Sequence, residues 1–267
     1  MLATRVEGRG EPLLLIAGLG MDHQAWDPVV RVFAKQYEVI CYDHRGTGDS
    51  SSGFTPDWST RDFARDALAV LDGLAVPRAH VYGHSMGGRI GQWLAADAPD
   101  RVGALILGAT TGGDRLGVPR SAAATAALSS GDVKALLDYC FTPEYLARET
   151  GALSLVAPRA TPESQRAHIR ASTNHDAWEV LGRISAPTLI IHGSEDRLCA
   201  PENAYRLTAA IEGAELLLLP QGRHAYYVDV VEANERVLQF LAAHPIRPGL
   251  GRDQVSVPAG RRTPQAE

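Results

Sequence analysis

The chain has 267 residues, 45% of them hydrophobic and 21% charged, which is enough apolar material for a sizeable core without disulfide or metal staples. A formal net charge of −5 argues against nucleic acid or an anionic membrane as the main partner. Three widely spaced cysteines, Cys41, Cys140 and Cys199, form no CxxC pair, so neither a disulfide framework nor a metal site is expected.

The first apolar run, Leu13 to Ala17, has the length of a strand, too short for a signal peptide core or a membrane span. A cytoplasmic protein is the expectation. Tyr37 to Cys41 reads as a second strand. Ser59, with Asp62 three residues on, is a box-like helix start, and Phe63, Ala67, Val70, Leu71 and Leu74 then recur at helical spacing. His80 to Tyr82 reads as a strand, Ser85 to Ala98 as a helix stopped by Pro99, and Val102 to Leu107 as another strand. Thr188 to Ile191 and Glu215 to Leu219 complete the strands, and Val228 to Ala243 is the last helix.

Continuous apolar strands alternating with amphipathic helices predict an α/β fold, a doubly wound and mostly parallel sheet with right-handed crossovers. Residues 111–185 interrupt the alternation. They hold helical pieces at Ala122 to Leu128, Val133 to Tyr139 and Pro162 to Ser172 but no strand pattern, and are predicted to cover the carboxyl ends of the strands. The expected organisation is a core of residues 1–110 and 186–243, a helical cap of residues 111–185, and a disordered tail over 244–267, which is rich in Pro, Gly, Arg and Gln.

The sharpest motif is Gly83-His84-Ser85-Met86-Gly87-Gly88, between a predicted strand and a predicted helix. In that setting a G-x-S-x-G turn lifts the serine hydroxyl above the sheet, with a helix N-terminus behind it. A serine is a weak nucleophile unless a base lies within hydrogen-bond reach. His224 follows the last predicted strand, on the side where Ser85 emerges, whereas His84 is expected to point away from Ser85. Asp196 follows the strand ending at Ile191 and is the preferred acid, ahead of Glu195 and Asp114. The oxyanion donors are assigned to the backbone N–H groups of Met86 and Leu19.

These residues resemble the α/β-hydrolase superfamily from about Gly10 to Ala243. Leu15 to Gly20, Tyr42 to Ser50, the Ser85 turn, Pro99 to Val102 and Ala186 to Asp196 carry the likeness. Within it the chain is most similar to bacterial 3-oxoadipate enol-lactonase-like and aclacinomycin methylesterase-like serine hydrolases. The resemblance implies a helical cap inserted after the sixth strand, an acyl-enzyme on Ser85, a small ester or lactone as substrate, and no cofactor. It leaves open a thioester or a carbon–carbon bond as substrate, and a lyase or ligand receptor on the same fold. Two features depart from the family pattern. Ala17 stands where many relatives have His before the oxyanion loop, and the short N-terminus can lack the first edge strand of the usual eight. Asp43 and His44 lie in a segment that is a structural turn in relatives. Tyr139, Phe141, Tyr145 and Trp178 are candidate pocket liners, with packing as the plainer role.

Overall fold

A computed structural model describes residues 2–50, 57–130 and 132–246. Seven strands form one sheet: β1 (Thr4–Gly8), β2 (Glu11–Ile16), β3 (Tyr37–Tyr42), β4 (Ala79–His84), β5 (Val102–Gly108), β6 (Thr188–Gly193) and β7 (Glu215–Leu219). Their spatial order is β1-β3-β2-β4-β5-β6-β7, and only the β1–β3 pair is antiparallel. The chain leaves β2 toward one edge and β4 toward the other. The crevice where the winding reverses therefore opens at the carboxyl ends of β2 and β4.

Central strands are buried on both sides, as their continuous apolar sequences require. Leu14, Ile16, Val81, Leu105 and Ile190 face one layer, with α2 (Thr60–Gly73) and α3 (Met86–Asp97). The alternate residues Leu13, Leu15, Tyr82, Ile106 and Ile191 face the other. That second layer contains α1 (Asp27–Phe33) and the last helix of the chain. Each fully buried Leu or Ile contributes about 1.5–3 kcal/mol relative to an exposed one. The Ser59 start of α2 is a complete capping box: Ser59 Oγ accepts from Asp62 N–H, and Asp62 accepts from Ser59 N–H.

Five helices separate β5 from β6: α4 (Ala122–Ser129), α5 (Val133–Cys140), α6 (Pro143–Arg148), α7 (Ala152–Val156) and α8 (Pro162–Thr173). With seven strands among the described residues rather than eight, this insertion follows the fifth strand. After β6 come α9 (Glu202–Ala210), then β7, α10 (Tyr226–Asp229) and α11 (Val231–Ala243). The helix expected over Val228 to Ala243 is thus broken at Val230, whose backbone is extended. The chain expected to be disordered from 244 onward is ordered at first: Ile246 N–H donates to Glu11 at 3.0 Å. The remainder of that expectation lies outside the described residues. Among the described residues, no helix is long and apolar enough to cross a membrane.

Candidate active site

Ser85 sits between β4 and α3 with φ 58° and ψ −116°. A side chain in that left-handed region costs about 1–3 kcal/mol and persists only where neighbours enforce it. Here Ser85 N–H donates to the Gly108 carbonyl at 2.8 Å, and the Ser85 carbonyl accepts from Thr110 Oγ1 at 2.8 Å and Gly88 N–H at 3.0 Å. Two glycines make the turn possible. A Cβ on Gly83 would lie 2.1 Å from the Gly87 carbonyl oxygen, and one on Gly87 would lie 2.0 Å from that of Ile16. The result is a partly exposed hydroxyl at the N-terminus of α3.

His224 and Asp196 arrive from the loops after β7 and β6, which touch through their own glycines. A Cβ on Gly193 would lie 2.2 Å from the Gly222 carbonyl oxygen. His224 Nε2 lies 3.0 Å from Ser85 Oγ, and His224 Nδ1 lies 2.8 Å from Asp196 Oδ2. Ser85, His224 and Asp196 are thereby one hydrogen-bonded relay. Asp196 Oδ1 accepts from the N–H groups of Leu198 and Cys199, each at 2.8 Å. Burial alone would raise the Asp196 carboxyl, but His224 and His192 outweigh it and hold the group well below the usual carboxylate range. The competing acids do not join the relay: Glu195 and Asp114 are both exposed to solvent.

The loop after β2 runs alongside the turn. A Cβ on Gly18 would sit 3.6 Å from Ser85 Cβ, and Leu19 is its next residue. In place of a histidine at position 17, the loop is held from outside: His44 Nε2–H donates to the Ala17 carbonyl at 3.0 Å. Asp43 accepts from His23 N–H and Asp49 N–H, each at 2.9 Å. Both residues support turns and neither touches Ser85. Met86 begins α3 with its side chain buried in the core. Among the described residues, no group of three or more His, Cys, Asp and Glu side chains could hold a metal ion.

The family model described as the alpha/beta hydrolase fold matches residues 11–134. RutD of Variovorax paradoxus, a protein named as a carbamate hydrolase, is 32% identical over 253 residues, covering 87% of this chain and 92% of its own. The chain belongs to the α/β-hydrolase family. Among solved structures, the enol-lactonase of Burkholderia xenovorans is similar at TM-score 0.80 and 28% identity, over 90% of this chain and 96% of that one. An N-acyl homoserine lactone degrading enzyme is similar at TM-score 0.78 and 28% identity, over the same shares of the two chains.

In this hydrolase the relay opens on a chamber of about 410 Å³. Ser85, His224, Gly18 and Leu19 line its floor, and the helical insertion supplies Leu136, Leu155, Val156 and Ile169. Gln165, Arg166 and Asp132 are among its polar groups. The aromatic side chains considered as liners do not contribute. Phe141 stacks on Tyr145 with ring centres 4.9 Å apart, Tyr139 lies beneath Arg197, and Trp178 Nε1–H donates to the Gly113 carbonyl. They pack the insertion against the core.

Two histidines of the site were not evident from the sequence. His84 does not turn away: it lines the chamber, its Nε2–H donates to the His224 carbonyl at 2.8 Å, and its ring lies 5.0 Å from that of His224. Burial, followed by the neighbouring His224, pushes His84 down to about 3, so it buttresses the loop in its neutral form. His192, at the end of β6, directs its Nε2–H to the Cys199 carbonyl at 2.9 Å and to Asp196 Oδ2 at 3.2 Å. The signal for His192 was its spacing, four residues before the acid in a strand-to-loop transition.

Proposed function

We propose that this hydrolase cleaves a carboxylic ester or lactone of a small organic substrate through an acyl-enzyme on Ser85. The observation that carries this reading is the relay, with Ser85 Oγ 3.0 Å from His224 Nε2 at the wall of a largely apolar chamber. His224 Nε2 accepts the hydroxyl proton as Ser85 Oγ bonds to the carbonyl carbon. The carbonyl π pair moves to oxygen, where the N–H groups of Leu19 and Met86 hold the charge. As the carbon–oxygen bond breaks, His224 returns the proton to the leaving oxygen, which in a lactone stays tethered as a hydroxyl. Water then attacks the acyl-enzyme, gives its proton to His224, and the acid leaves as Ser85 regains its own. Asp196 fixes the His224 tautomer and balances the imidazolium. These steps call for no metal, organic cofactor, nucleic acid or membrane.

The lactone half of the reading is supported by the enol-lactonase and by the N-acyl homoserine lactone degrading enzyme, both 28% identical. RutD, named as a carbamate hydrolase, favours a carbamate as the second reading with the same acyl chemistry. A cytoplasmic setting is supported by three free, buried cysteines, which need no oxidising compartment.

The test is intact-mass analysis after a fluorophosphonate probe, on the native chain and on Ser85→Ala. One adduct on the native chain and none on the variant is the expected result, followed by turnover of esters and lactones ahead of carbamates in a matched panel. No adduct on a folded native chain would overturn the nucleophile assignment. Carbamate turnover alone would move the substrate class to the second reading.

A further inference from the structure

Gly20 ends the loop that carries Leu19, and the helical insertion grips it on both sides. Its N–H donates to His168 Nδ1 at 3.2 Å, and its carbonyl accepts from Arg159 N–H at 2.8 Å. With φ +71° this position favours glycine, and the tip of the Gln165 side chain occupies the space beside its Cα. His168 lies on α8 and is fully buried. Its ring packs against Phe63 at 4.9 Å, Trp58 at 5.7 Å and His44 at 5.9 Å between ring centres.

The two ring nitrogens of His168 have opposite tasks. Nε2 lies 2.9 Å from the Arg45 carbonyl, which can only accept, so Nε2 carries the proton. Nδ1 must then be the acceptor, and the Gly20 N–H is its donor. Burial, followed by the neighbouring His44, pushes His168 down to about 3, so this neutral tautomer persists at working pH. α8 also supplies Gln165 and Ile169 to the chamber wall. The surface that meets the substrate and the ring that holds the loop thus belong to one rigid element.

We propose that His168 is a positioning residue: by holding Gly20 it sets the loop bearing the Leu19 N–H, so the helical insertion completes the oxyanion hole. The inference rests on the proposed Ser85 chemistry. It adds a second hold, at Gly20, to the one His44 has on Ala17 in a loop without a histidine at position 17. It also couples fit to rate, because a substrate that displaces α8 loosens the oxyanion donor as well. Such coupling acts on kcat more than on KM.

The experiment compares His168→Asn with His168→Gln. The Asn carbonyl oxygen falls near the lost Nδ1 and restores an acceptor for Gly20, whereas the Gln amide falls near Nε2 and restores only the donor to Arg45. Both variants lose the ring and its packing. For a simple ester, His168→Gln is expected to lose kcat by about 10- to 100-fold with KM little changed, the cost of a displaced donor. His168→Asn is expected to keep most of it, although the two have similar melting temperatures. Hydrogen exchange at the Gly20 amide should be fast in the Gln variant and protected in the Asn variant. Equal kcat and equal Gly20 exchange in two folded variants would overturn the inference. If either fails to fold, the native chain decides: a Gly20 amide exchanging as freely as an exposed loop residue overturns it. A native chain that neither labels at Ser85 nor turns over ester defeats the proposed chemistry instead, a failure distinct from two variants that behave alike.

Discussion

Asp196 has both carboxylate oxygens filled. Two backbone N–H groups occupy Oδ1, while His224 and His192 share Oδ2. This asymmetry predicts the outcome of a nearly isosteric change. In Asp196→Asn the amide oxygen must stay with the Leu198 and Cys199 donors, so the NH2 faces His224. The imidazole then loses its acceptor at Nδ1, and the tautomer that leaves Nε2 free for the Ser85 proton is disfavoured. A fall in kcat of about 10⁴-fold is expected, with the fold retained. Steady-state ester turnover beside a circular dichroism spectrum checks it, and near-native kcat would remove Asp196 from the chemistry. Ser85 was legible in the sequence because its turn needs glycines at fixed offsets between a strand and a helix, and few other sequences meet that demand. His224 and Asp196 were legible from chain order and from their positions after strands. His84 keeps the alternation of β4, sharing with Tyr82 the layer of Tyr226 and Tyr227, but a strand pattern does not say that the β7 loop brings the His224 carbonyl to that layer.

The loops after β6 and β7 bring base and acid together only because Gly193 and Gly222 let two backbones meet. A Cβ at position 193 would stand 2.2 Å from one backbone oxygen and 2.7 Å from another, neither on a flexible side chain. Gly193→Ala must therefore part the loops. It is expected to cost about 1–3 kcal/mol of stability, the range for overpacking a close-packed site. Turnover should fall further than that loss accounts for, because the His224–Asp196 contact spans the same gap. Urea denaturation and ester turnover on one preparation test this, and a stable variant with unchanged kcat would show that the gap has slack. Elements buried on both faces were readable as apolar runs. β1 was not, since Thr4 to Gly8 alternates exposed and half-buried residues and offers no such run. α1 and α9 are only 7 and 9 residues long, too short to declare a period against their flanking loops. The four aromatic residues take the plainer packing role, and the true pocket wall was not legible for a related reason. An aromatic residue marks an insertion helix as amphipathic but does not say which side faces the chamber, and α5 turns Val133, Leu136 and Cys140 inward instead.

Across the whole molecule, buried histidines act as ties between layers. His80 on β4 reaches Glu11 on β2, His44 holds the β2 loop, and His84 joins the Ser85 turn to the β7 loop. His168 and His175 bind the insertion to the core, the latter through Thr60 and Gln92. Burial lowers the proton affinity of all five, reaching about 3 at His84 and His168. The unfolded chain titrates these groups near their ordinary value of about 6.5. Below that pH the unfolded state takes up protons that the folded state refuses, so stability must fall as pH falls toward the folded values. The neutral-histidine contribution is fully present above about pH 6.5 and is lost through the window down to about 3. Each group adds a slope of up to about 1.4 kcal/mol per pH unit once its unfolded form is fully protonated. Urea midpoints at neutral pH and at about pH 5 should therefore differ far more than carboxylate titration, centred near pH 4, would produce. His175→Gln, which keeps a polar side chain at the Thr60 and Gln92 contacts, should flatten the slope by one proton. Stability that is level across this range would mean that the histidines accept protons in place, and that the layers are not tied through their neutral rings.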